Sequence, residues 1–77
     1  MEERTLTFGE KAVGLSFNPS GREDVNAIKV AFAEIITSLD AMRTVTPSGE
    51  RRRMLSIAIT EAQTAQMWAV KAATWSD

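Results

Sequence analysis

From Glu61 to Trp75 the chain runs fifteen residues without a glycine or a proline, and five of the fifteen are alanine. Alanine loses no side-chain freedom on winding, so this stretch is predicted to be helix. At 3.6 residues per turn two faces separate. Ala58, Ala62, Ala65, Ala69 and Ala72 form a ridge small enough for another helix to approach closely. Thr64, Trp68, Lys71 and Trp75, spaced four, three and four, form a second stripe. A cation between two indoles either holds something flat and negatively charged or covers a neighbouring helix.

What surrounds that helix is bounded by inventory. Residues 1–77 make one small domain, too short to split into two cores. Nine basic and ten acidic residues give a net charge of −1, which is not the balance of a DNA or RNA binder. The chain has no cysteine and no histidine. Disulfides, thiolate chemistry, a zinc site, a histidine general base and Ser-His or Cys-His pairs are therefore excluded. No apolar run approaches the roughly 20 residues that span a bilayer, and the N-terminus lacks the apolar core of a signal peptide. The expectation is a soluble cytoplasmic chain with no cofactor, no metal, no nucleic-acid partner and no membrane partner.

Residues 1–19 read as an arm and loop. Leu6, Phe8, Val13, Leu15 and Phe17 are apolar, but Gly9 and Gly14 interrupt any long helix and leave room only for a short one around Gly9 to Val13. Ser16-Phe17-Asn18-Pro19-Ser20-Gly21 is the strongest turn signal in the chain. By itself Phe17 reads equally well as a core anchor or as an exposed ring held before a proline-restricted loop. Helix is predicted over 20–43, opened by a Ser20/Glu23 capping box. Val25, Ile28, Phe32, Ile35, Leu39 and Met42 recur at three, four, three, four and three. That is the seam of helices packed at shallow angles, and Ile36 widens it to a second face. Asn26 and Lys29 fall off the seam, beside the incoming loop, where a lone lysine is usually solvated.

Thr44 to Gly49 turns the chain, with Thr46 as the expected N-cap and Pro47 at the first position of a second helix over 47–75. Consecutive residues on a helix splay by about 100°, so Arg51, Arg52 and Arg53 cannot converge on one anion. They read as a solvated face with one member salt-bridged. The predicted fold is all-α: a two-helix antiparallel hairpin with a short N-terminal arm. Two helices enclose no core, so Phe32, Ile36, Met54, Ile57, Met67, Val70 and the two tryptophans cannot all be covered within one chain. Exposed apolar area of that kind predicts a compact homo-oligomer.

Two segments carry a resemblance. Val25-Asn-Ala-Ile-Lys29 after the Phe17-Asn-Pro19 loop, and Met67-Trp-Ala-Val-Lys-Ala72, resemble the phage anti-CBASS cyclic-nucleotide sponges, which share a helical hairpin domain with one group of anti-Thoeris sponges. The resemblance runs from about Phe8 to Trp75. It implies a hexamer encoded by a phage or prophage, acting in the cytoplasm of the infected bacterium. Such a protein binds cyclic di- and trinucleotide immune signals without cleaving them.

The resemblance further implies that Phe17 stacks on a base of a cyclic dinucleotide while Lys29 meets its phosphates, with Asn18, Pro19 and Asn26 beside them. It implies a second, trinucleotide set in Thr64, Trp68 and Lys71. The Phe17 loop can fold over Asn26 and Lys29 of its own chain only if Pro19 and Gly21 reverse the chain. Because the family's dinucleotide pocket lies between protomers, the favoured expectation is that Phe17 of one protomer meets Lys29 of a neighbour. Relatives usually stack with tyrosine, so Phe17 forgoes a hydroxyl, and Lys71 cannot form the bidentate phosphate pair of an arginine. Two other classes remain open from the residues themselves. One is a structural or protein-binding hairpin oligomer with no nucleotide ligand. The other, an enzyme that degrades the signal, is disfavoured, since Glu61 and Asp40 have no metal-binding neighbour.

Overall fold

The computed structural model describes residues 5–19 and 21–77 of the chain. They form α1 (Phe8–Ala12), α2 (Glu23–Val45) and α3 (Gly49–Ala73), with no strand among the described residues. No described helix is long and apolar enough to cross a membrane.

The N-terminal arm is a built element rather than a lead-in. Thr7 caps α1: its hydroxyl accepts from the Glu10 N–H at 3.1 Å, and the Glu10 carboxylate accepts from the Thr7 N–H at 2.9 Å. Each side chain thus satisfies one orphan donor of the other, which is what lets so short a helix persist. The helix stops at Gly14, whose φ of 63° admits the left-handed turn at no steric cost. The Gly14 N–H donates to the Lys11 carbonyl at 3.2 Å and the Leu15 N–H to the Glu10 carbonyl at 3.0 Å, the paired bonds of a Schellman stop.

The two long helices form the hairpin, with boundaries that differ from the sequence expectation. The Ser20 half of the predicted capping box lies outside the described residues. In α2 Arg22 occupies the N-cap without a side-chain cap bond, and Glu23 is the first helical residue. Thr46 caps the C-terminus of α2 instead of opening α3, because the following Pro47 forces it into extended backbone, ψ 134°. Ser48 takes the N-cap of α3, its hydroxyl accepting from the Arg51 N–H at 3.1 Å. Arg52 closes the turn by donating to the Thr46 carbonyl at 2.8 Å. Arg53 pairs with Glu50, so the three arginines do diverge.

Packing rotates α2 relative to its predicted seam. Val25, Lys29, Ala33 and Ile36 are the buried line, and Ile36, expected on a second face, is completely covered. Ile35 and Met42, expected in the seam, are half exposed. The reason is α1, which docks on α2 through Gly9, buried against Ala33 and Thr37. The Gly9 N–H donates to the Thr37 hydroxyl at 2.9 Å, and that hydroxyl donates on to Thr7 at 3.2 Å. Val13, Ala33, Ile36 and Ile59 then form a core, with Ala12, Leu15, Phe32, Leu39 and Ala62 packed around it. On α3 the buried line is Leu55, Ile59 and Gln66. The alanine ridge is divided: Ala58, Ala62 and Ala69 are half-buried, whereas Ala65 and Ala72 face outward.

Candidate functional site

The loop between α1 and α2 is shaped by its own backbone and by one side chain. The Gly21 N–H donates to the Asn18 carbonyl at 2.9 Å, and Gly21 takes a φ of 61° that favours glycine. The Asn18 amide bonds twice to the main chain of Arg22, donating to its carbonyl at 2.9 Å and accepting from its N–H at 3.2 Å. This clamp reverses the chain and carries Phe17 back over the start of α2.

Lys29 meets it there, inside the same chain. The lysine expected to be solvated is 6 % exposed. Its ammonium donates to the Gly14 carbonyl at 3.0 Å and to the Phe17 carbonyl, and lies 5.6 Å from the centre of the Phe17 ring. Two of its three donors hold the loop. Phe17 itself is 72 % exposed, so it is a presented ring and not a core anchor. Of the two expected arrangements, the single chain has the one in which the loop reverses and brings Phe17 to Lys29 within one protomer.

The cleft they form encloses about 180 Å³ and is lined by Phe17, Asn18, Pro19, Arg22, Val25, Lys29, Val70 and Thr74. Four of the five residues expected at a dinucleotide site share it. Asn26 does not; it lines the adjoining groove with Asn18, Gly21, Arg22, Glu23 and Ala27. The residues missed from the sequence are Arg22 and, from the far end of α3, Val70 and Thr74, which only the hairpin brings near. Arg22 is held by Asp24 through Nε at 3.0 Å and Nη2 at 2.8 Å, and Nη2 also donates to the Ala73 carbonyl at 3.0 Å. The guanidinium hydrogen bonds hold the Asp24 carboxyl below its ordinary range, and Asp24 in turn raises Arg22. Both basic side chains of the cleft are thus held in place by hydrogen bonds.

Thr64, Trp68 and Lys71 also come together, on the outer face of α3. With Met67 they line a shallow concavity of about 230 Å³, and Trp68 and Lys71 continue into another, of about 350 Å³, with Ala72 and Trp75. The Lys71 ammonium sits 5.2 Å from the centre of the Trp68 ring. Both tryptophans are 65 % exposed, so neither covers a helix of its own chain. The groove between α1 and α2 is roomier, about 440 Å³, but Glu10 and Glu34 line it and oppose an anion.

Fold and cleft define a helical hairpin that presents an aromatic ring, cations and an apolar wall. The family model described as Acb2/Tad1, hairpin domain, matches residues 10–74, and the chain belongs to that family, the anti-CBASS and anti-Thoeris sponge family that its motifs resemble. No curated protein and no solved structure matches the chain.

Proposed function

We propose that this protein binds cyclic dinucleotide immune signals in the Phe17–Lys29 cleft and sequesters them intact, as a phage-encoded anti-defence protein in the cytoplasm of the infected bacterium. The observation that carries the reading is the buried Lys29 ammonium held beneath an exposed Phe17 ring. A cyclic dinucleotide offers two base faces and two phosphates in one compact ring. Binding it calls for an aromatic platform, fixed cations and little else. The cleft supplies a ring, two cations and an apolar wall, and these hold a ligand without cutting it.

The cleft of one chain is smaller than the roughly 300–1,000 Å³ of sites for small molecules. A two-fold ligand shared between two such clefts resolves the mismatch, and places the complete pocket between protomers. Assembly is also favoured by area. The chain exposes 5606 Å², against roughly 4,650 Å² for a compact monomer of its mass. Large apolar side chains contribute to it: Met54, Ile57, Met67, Trp68 and Trp75 are all exposed. The assembly is a closed homo-oligomer, with a hexamer preferred on family grounds. Thr64, Trp68 and Lys71 form a second site in that assembly, for cyclic trinucleotides.

A structural hairpin oligomer with no nucleotide is the second reading, favoured by the two Lys29 donors already engaged with loop carbonyls. A thermal-shift screen with cyclic di- and trinucleotides separates the two, since only a sponge is stabilised by micromolar ligand. Heat-denaturing the complex should release intact ligand. A linearised product would replace sequestration with catalysis.

A further inference from the structure

We infer that Arg22 is a third ligand-contacting residue of the dinucleotide cleft, one that meets a phosphate beside Lys29. The inference rests on the cleft being the nucleotide site. Arg22 lies at the join of the Phe17 cleft and the Asn26 groove, and lines both. Asn18 lines both as well, but its amide is bonded to the loop. Among the described residues Arg22 is thus the one basic side chain at the join, where Glu23 also lines the groove.

Its donors are already sorted. Nε and Nη2 are taken by the Asp24 carboxylate and the Ala73 carbonyl, whereas the two N–H groups of Nη1 have no partner among the described residues. Asp24 fixes the plane of the guanidinium from one side, and the end of α3 fixes its height. A guanidinium restrained in this way loses little freedom when it takes up a phosphate oxygen. Nη1 is one nitrogen, so the contact is a single charge-assisted bond rather than a fork.

Asp24 makes the role testable, because it pulls in two directions. It positions Arg22, and it also places a negative charge near a doubly negative ligand. If Arg22 only clips α2 to the end of α3, then Arg22→Gln and Asp24→Asn both loosen that clip and both weaken binding. If Arg22 touches phosphate, Arg22→Gln weakens binding, while Asp24→Asn leaves it unchanged or tightens it, because repulsion is removed and a side-chain acceptor for Arg22 is kept.

The experiment is calorimetric titration of the full chain and these two variants with cyclic di-AMP and cyclic di-GMP, at low and high salt. Helical content and thermal midpoints are measured in parallel. Arg22→Gln should weaken binding about tenfold, as expected for one charge-assisted contact, and should flatten the salt dependence. Asp24→Asn should bind at least as well as the natural chain. Equal binding by Arg22→Gln overturns the proposal, as does parallel weakening of both variants with unchanged salt dependence. Failure of the natural chain to bind either probe is a separate outcome: it removes the site reading itself, and the role of Arg22 with it.

Discussion

Gly9 rests on Ala33 so closely that a Cβ on Gly9 would stand 1.9 Å from the Ala33 carbonyl oxygen. The obstacle is backbone, in the middle of a long helix, so it cannot rotate away. Ordinarily, Gly→Ala inside a helix stabilises by about 0.5–1 kcal/mol. At Gly9 the sign should reverse. Gly9→Ala should lift α1 from α2, uncover Val13 and cost about 1–3 kcal/mol. Gly49 is the control, because a Cβ there meets nothing within 4 Å and its φ is not positive. Urea denaturation should find Gly49→Ala neutral or stabilising and Gly9→Ala destabilising.

This contact also explains which part of the fold the sequence discloses. The hairpin and its turn were legible, because glycine and proline cluster at its corner and are absent from Arg51 to Asp77. The face of α2 was legible in part, since Val25 of its seam is buried and Phe32 and Leu39 pack on the core. Its own periodicity selects Ile35 and Met42, but the buried line follows Ala33 and Ile36, where α1 lands. A helix that serves two neighbours does not record both in one seam. The short helix expected around Gly9 to Val13 is present as α1, and the Thr7/Glu10 capping box that opens it stands in the sequence as a T-x-x-E spacing. At the candidate site, the sequence reading names Phe17 and Lys29 together, and the structure sets them 5.6 Å apart, ammonium to ring centre. The burial of Lys29 was not readable, since it depends on loop carbonyls twelve and fifteen residues away.

Phe17 and Lys29 should respond differently to substitution. Phe17 is exposed, so Phe17→Ala should leave the thermal midpoint nearly unchanged while weakening dinucleotide binding by about 1–3 kcal/mol. Lys29→Met keeps the apolar stem but leaves the Gly14 and Phe17 carbonyls without their donor. It should cost both stability, about 1–3 kcal/mol, and binding. Calorimetry beside differential scanning measures both. If Lys29→Met lost binding with full stability, the loop would not depend on its ammonium.

Acid should loosen both ends of the hairpin. Glu50 is held below its ordinary range by the Arg53 guanidinium, and Asp24 by that of Arg22. A carboxylate whose folded pKa is lowered binds its proton less readily in the folded state than in the unfolded one. Its contribution is therefore complete above the ordinary carboxylate range, about pH 4, and is lost as pH falls through the lowered value. Thermal midpoints should decline below that range. Glu50→Gln should reduce the decline, and high salt should shrink the difference between the two proteins, because both pairs are exposed.

The outer face of α3 yields the sharpest test of assembly. Met54, Ile57, Thr64, Trp68, Lys71 and Trp75 share one stripe, and all six are exposed in the single chain. Glu61 completes it at the same three-and-four spacing. This is the period of helices packed side by side, on the side of α3 opposite Ile59 and Gln66, which face the hairpin core. Substitutions there should cost the isolated fold little, because nothing in the chain covers them. In an assembly that packs through the start of this stripe, Met54 and Ile57 would be covered, and a carboxylate placed there would be left without a partner. The natural chain should sediment as an oligomer at micromolar concentration, whereas Met54→Asp with Ile57→Asp should sediment as a folded monomer with unchanged helical content. A dinucleotide pocket completed by two protomers should be lost with the assembly, although Phe17 and Lys29 remain in place. If instead the natural chain sedimented as a monomer, both the oligomer and the shared pocket would be wrong. If the double variant stayed oligomeric, the assembly would use another face, with the exposed Ile35 and Met42 of α2 next to test.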